Sequence, residues 1–152
     1  MRIERRFTKP GQSAYAEIEF RKALSEIKNP DGSVVFRLDN IDVPAQFSQV
    51  AADILAQKYF RKAGVPARLK KVEENDVPSF LWRSVADEAE LAKLPEAERY
   101  GSEIDARQVF DRLAGTWTYW GWKGGYFSTE EDAQAFFDEH RYMLAMQMAA
   151  PN

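Results

Sequence analysis

Two stretches in the second half of the chain constrain its fold most. Residues 106–117 place Ala106, Val109, Phe110, Leu113, Ala114 and Trp117 at helical spacing, and residues 133–144 do the same with Ala133, Phe136, Phe137, His140 and Leu144. A stripe of that width has to be covered, so both segments are predicted as helices buried along one side. Ser102 is placed to cap the first, which runs to Gly121 or Gly124-Gly125. Ser128 and Glu131 predict a capping box for the second, with Glu130, Glu131 and Asp132 favouring the positive end of its dipole. That helix is expected to end by Ala149-Ala150-Pro151-Asn152, and packing of helix on helix is expected to supply most of the burial.

Upstream the period changes. From Tyr15, Ala16, Ile18 and Phe20 alternate with Glu17, Glu19 and Arg21, the pattern of a half-buried strand. Asn29-Pro30-Asp31-Gly32 is turn chemistry, so Val34-Val35-Phe36 is predicted to return antiparallel as a β-hairpin. After Val43-Pro44 the spacing becomes helical, with Phe47, Val50, Ala51, Ile54, Leu55 and Tyr59 on one face until Gly64 and Pro66. Residues 67–101, punctuated by Pro78 and Pro95 and anchored by Phe80-Leu81-Trp82 and Val85, read as a long connection with one short helix. Residues 1–14 hold Arg2, Arg5, Arg6, Lys9, Pro10 and Gly11 and read as a flexible or partner-ordered arm, with one domain over 15–152. The predicted class is α+β, predominantly helical: an N-terminal β-hairpin followed by about three main helices.

Composition bounds the chemistry. At 152 residues, 45% hydrophobic and 30% charged, the chain can bury a real core. A net charge of -3 with both signs dispersed reserves no surface for nucleic acid phosphates. No apolar run is long enough to span a bilayer, and a cytoplasmic protein is expected. The absence of cysteine excludes disulfides, thiolate nucleophiles, cysteine radicals and Cys-based zinc sites from these residues.

The densest candidate site is Trp117-Thr118-Tyr119-Trp120-Gly121-Trp122, whose rings could anchor a partner or stack on a base. Packing within or between domains is the preferred reading, with Trp117, Tyr119, Trp120 and Trp122 as contact residues. Tyr59 and Phe60 join them beside Lys58, Arg61 and Lys62, cations that complement the end of a helix and could also face a nucleotide or a neighbouring domain. Lys123-Gly124-Gly125 lacks the spacing of a phosphate loop and reads as a helix end. His140, the one histidine, has no neighbours suited to a metal site, and Glu73-Glu74 and Glu130-Glu131 read as solvated charge.

Specific strings add a family. Ala16-Glu-Ile-Glu-Phe-Arg-Lys22, Asn29-Pro-Asp-Gly-Ser-Val-Val-Phe36, Asp53-Ile-Leu-Ala-Gln-Lys-Tyr-Phe-Arg-Lys-Ala-Gly64 and Gln108-Val-Phe-Asp-Arg-Leu-Ala-Gly115 resemble, in order, the amino-terminal region of adenosylcobalamin-dependent (class II) ribonucleotide reductases. The resemblance continues through Trp117-Thr-Tyr-Trp-Gly121, Gly125-Tyr-Phe127 and Tyr142-Met-Leu-Ala145 to Met148-Ala-Ala-Pro-Asn152. It implies a helical shell preceding a ten-stranded α/β barrel, in an enzyme that replaces a ribonucleotide 2'-hydroxyl by hydrogen through adenosylcobalamin and a thiyl radical. The family's essential cysteines, cobalamin pocket and catalytic asparagine and glutamate match no position here, so the resemblance transfers no catalytic, cofactor-binding or metal-binding residue.

The expected partner is therefore the catalytic barrel of the same enzyme, with nucleotide substrate bound only by the full-length protein. Alone, the segment is expected to be inactive and to self-associate through its aromatic run and Met143, Met146 and Met148. Two other readings stay open: a standalone docking or regulatory module, and a small nucleotide-binding protein using the aromatic cluster.

Overall fold

The computed structural model describes residues 1–150; the expected end of the last helix at Pro151-Asn152 lies outside the described residues. A hairpin of β1 (Phe20–Lys28) and β2 (Val34–Pro44) comes first. Its turn is the one the sequence predicts. Gly32 donates to the Asn29 carbonyl at 2.9 Å, and its φ of +86° needs a residue without a side chain. β1 starts later than the alternation suggests. Residues 13–18 are turns instead, with Ala16 and Ile18 donating to Ser13 and Tyr15, while the Tyr15 hydroxyl reaches Asp111 at 2.7 Å. Pinning Tyr15 to the interior takes residues 15–19 out of the ladder.

The next helix, α1 (Gln49–Ile54), is capped by the Ser48 hydroxyl and passes into a π-helical turn over Leu55–Tyr59. Phe60 N–H donates to the Leu55 carbonyl at 3.0 Å, five residues back, and the helix ends there rather than at Gly64. The face turned to the core is also not the expected one: Ala52, Leu55 and Ala56, at i, i+3 and i+4, are buried with Phe60, whereas Val50 and Ile54, expected inside, lie on the other side of the helix and are 67% and 51% exposed.

Residues 65–101 carry more structure than one short helix. They form β3 (Val65–Pro66), β4 (Leu69–Lys71), β5 (Ser84–Ala86), a single-turn α2 (Glu88–Leu91) and β6 (Tyr100–Gly101), with 3₁₀ turns at Ser79–Leu81 and Glu96–Glu98. β3 pairs with β6 and β4 with β5, both antiparallel.

Two long helices complete the order, α3 (Ala106–Lys123) and α4 (Glu130–Ala145). Their stripes fall where the sequence predicts, but their caps do not. Asp105 with Gln108 boxes α3 in place of Ser102, because Asp42 N–H donates to the Ile104 carbonyl at 2.9 Å and holds 104–105 extended beside β2. Thr129 with Asp132 boxes α4 in place of Ser128 and Glu131, because Ser128 N–H is already committed to the Met1 carbonyl. Gly121 admits the Phe127 ring: a Cβ there would lie 2.8 Å from it.

The core is not helix on helix alone. Ile41 and Val43 of β2 are fully buried with Tyr15, Phe47, Leu55, Val109, Phe110 and Leu144, each of the two contributing roughly 1.5–3 kcal/mol of burial. The hairpin is thus a structural layer beneath α1 and α3.

Residues 3–8 of the arm lie along α4. Asp132 accepts from Ile3 N–H at 2.8 Å, Asp138 accepts from Arg5 at 2.7 Å, and Glu139 accepts from Phe7 and Thr8 N–H and from the Thr8 hydroxyl. Phe7 stacks on Tyr142 with ring centroids 5.0 Å apart.

Candidate interdomain surface

The aromatic run of α3 is divided by the helix. Trp117 turns inward, its ring 4.9 Å from that of His140, whose other side meets Phe136 at 5.2 Å. Burial lowers the His140 pKa, which suits a neutral ring packed among aromatics. Tyr119 and Trp122 face residues 74–76: the Tyr119 hydroxyl donates to Glu74 at 2.9 Å and the Trp122 indole to the Asp76 carbonyl at 2.6 Å. Lys123 completes that contact with an ion pair to Glu74 at 3.1 Å. Its hydrogen bond to Lys123, then that to Tyr119, holds the Glu74 carboxyl below its usual range. Trp120 is the ring of this run left to solvent, 62% exposed. Gly124 and Gly125 cap the helix by donating to the Trp120 and Trp122 carbonyls, as expected of a helix end.

Tyr59 and Phe60 part company. Phe60 is in the core, while Tyr59 lines an open groove between α1 and α3. The groove holds about 330 Å³ and is walled by Val50, Ile54, Leu55, Leu113, Leu144 and the last described residues, Ala149 and Ala150. The cations beside Tyr59 are mostly engaged at home. Lys62 sits 5.3 Å from the Phe36 ring centroid, and the Arg61 guanidinium lies 3.8 Å from Glu103, a buried carboxylate that also accepts from the Arg61 backbone N–H and pairs with Arg112 at 3.1 Å. Arg112 donates further to the Tyr59 carbonyl, fixing the π-helical turn to α3.

Two features escaped residue-by-residue reading. One is the buried acidic face of α4: Asp132, Asp138 and Glu139 lie six and seven residues apart, hence on one side of a helix, opposite an arm rich in arginine. That charge match was readable. The other is the groove, which depends on how α1, α3 and the end of α4 come together and left no signal in spacing. Among the described residues no cluster of three His, Cys, Asp or Glu is placed to hold a metal ion, and no helix is long and apolar enough to cross a membrane.

Comparison with known proteins fits this geometry. The family pattern of class II vitamin B12-dependent ribonucleotide reductase matches residues 21–147. The whole chain is 86% identical to part of the vitamin B12-dependent ribonucleotide reductase of Agrobacterium fabrum and 74% identical to part of that of Bradyrhizobium diazoefficiens. The enzyme of the same name from Streptomyces avermitilis is 29% identical over 154 aligned residues. In each case the chain spans about 12% of the relative's length. A match over nearly all of the sequence, to proteins about eight times as long, shows that the chain belongs to the class II vitamin B12-dependent ribonucleotide reductase family and corresponds to its N-terminal region.

Proposed function

We propose that this chain is the structural N-terminal segment of a ribonucleotide reductase, a shell that packs against the catalytic barrel and has no activity alone. The observation that carries this reading is how the side chains are spent. Asp132, Asp138, Glu139 and Glu103 are bonded to the segment's own arm and helices, while the groove between α1 and α3 is apolar and open. In the whole enzyme, the reduction of ribonucleotides to deoxyribonucleotides would supply DNA precursors in the cytoplasm, by cobalamin-initiated thiyl-radical chemistry.

The residues present do not fit adenosylcobalamin. His140 is packed between two rings, and the groove is apolar and near the small end of ligand cavities, unsuited to an amide-fringed corrinoid. With no cysteine, the segment also has no thiol to carry a thiyl radical or to form a redox disulfide pair. Its role is to fold, to present a surface and to position the rest of the polypeptide.

The test is to produce this segment and the remainder of the enzyme as separate chains and measure deoxyribonucleotide formation. The segment alone should give none, the remainder should lose at least about tenfold, and mixing should restore activity in step with binding. A remainder fully active without the segment overturns the proposal and leaves the docking-module reading.

A further inference from the structure

We propose that the groove between α1 and α3 receives apolar side chains from the polypeptide C-terminal to this segment in the same reductase chain. This rests on the structural-segment reading and deepens it by naming the contact surface.

Three observations support it. First, among the described residues no charged side chain lines the groove; its polar members there are Ser48, Tyr59 and Gln147, so the complementary occupant is apolar and uncharged. Second, Ala52, Leu55 and Ala56 form the face of this helix turned to the core, leaving Val50 and Ile54 displayed on the groove's edge. Two large aliphatic side chains side by side in water mark a surface made to be covered. Third, Ala149 and Ala150 form one wall, so polypeptide continuing from there sets out at the groove itself. The relatives are about eight times as long as this segment, which leaves ample chain to fill it. A tether that starts at the rim gives that chain a large advantage over any free competitor, with an effective concentration in the millimolar range. The volume admits a few side chains rather than a whole secondary element.

Thiol footprinting of a full-length reductase carrying this segment tests it. Ile54→Cys and, separately, Val50→Cys are labelled with a maleimide in the native and urea-unfolded enzyme, and the peptide holding the new thiol is quantified by mass spectrometry. Retained ribonucleotide reduction confirms that each variant is folded. Native labelling slower by about tenfold or more, at a ratio unchanged by a hundredfold dilution, is the expected result. A ratio within about threefold overturns the proposal, and protection that fades on dilution assigns the groove to a second copy and also overturns it. Trp120→Cys separates this failure from that of the broader reading. Protection at 120 without protection at 50 and 54 removes the groove and leaves the structural segment. Protection at none of the three, with no binding between separately produced segment and remainder, removes both.

Discussion

α1 and α4 both read as amphipathic helices, yet they meet the rest of the molecule in opposite ways. On α4 the side that looks solvated is buried: Asp138 is 3% exposed and Glu139 8%, because the arm lies over them with a guanidinium, amides and a hydroxyl. On α1 part of the side that looks buried is bare, because the helix turns Ala52, Leu55 and Ala56 to the core and, among the described residues, no other element covers Val50 and Ile54. Hydropathy states what a face would prefer, and the neighbouring chain decides what it gets. α4 is closed from within the segment, whereas α1 is left partly open.

The strongest way to break this contrast is to remove a charge on the closed side. Asp138 pairs with Arg5 and Arg141, both at 2.7 Å and both mostly buried. Asp138→Ala should cost about 3 kcal/mol, since it strips Arg5 of its carboxylate partner and leaves Arg141 with Asp111 alone, measured as a shift in the urea midpoint of the isolated chain. Next in size is Thr129→Ala, which removes the cap that accepts from Asp132 N–H and should cost about 1 kcal/mol in the same assay.

Acid should loosen the closed side selectively. Burial pushes the Glu139 carboxyl up, but the Thr8 hydroxyl and the amides of Arg6, Phe7 and Thr8 outweigh it, so its pKa is lowered. Asp132 is lowered first by the Ile3 amide. A depressed folded-state pKa stabilises above the ordinary carboxylate range and is lost as pH falls through the folded values, so the arm should be secure at neutrality and fade below about pH 4. Hydrogen exchange, corrected for intrinsic rates, should show Ile3, Phe7 and Thr8 amides losing protection there while Val109 and Phe110 in α3 keep theirs. Equal loss in both places would mean that the arm is not held by ionised carboxylates.

The smallest expected effect sharpens the open side. Ile54→Ser in this chain alone should change stability by no more than about 0.5 kcal/mol, as for an ordinary surface position. A loss of several times that would show that the segment covers Ile54 itself.

Much of the fold was legible where the determinants are local. Asn29-Pro30-Asp31-Gly32 forms its turn, and the stripes of α3 and α4 are buried or half-buried in place, because turn angles and helical period belong to neighbours in sequence. Boundaries were less legible. Ser102 and Asp105, or Ser128 and Thr129, are comparable caps in isolation, and contacts with β2 and the arm choose between them. Of the expected contact residues, Trp117 and Phe60 turn inward and Trp120 stays outside, a division set by which elements lie alongside.

By itself the sequence determined the family, the hairpin, the long helices and the impossibility of cysteine chemistry within these residues, since each rests on residue identity or short-range spacing. Only the tertiary structure decided that the arm satisfies the acids of α4, that β2 shares the core and that α1 opens a groove toward α3. Those outcomes depend on which surfaces meet across long stretches of chain, and a helix carries no local record of what covers it.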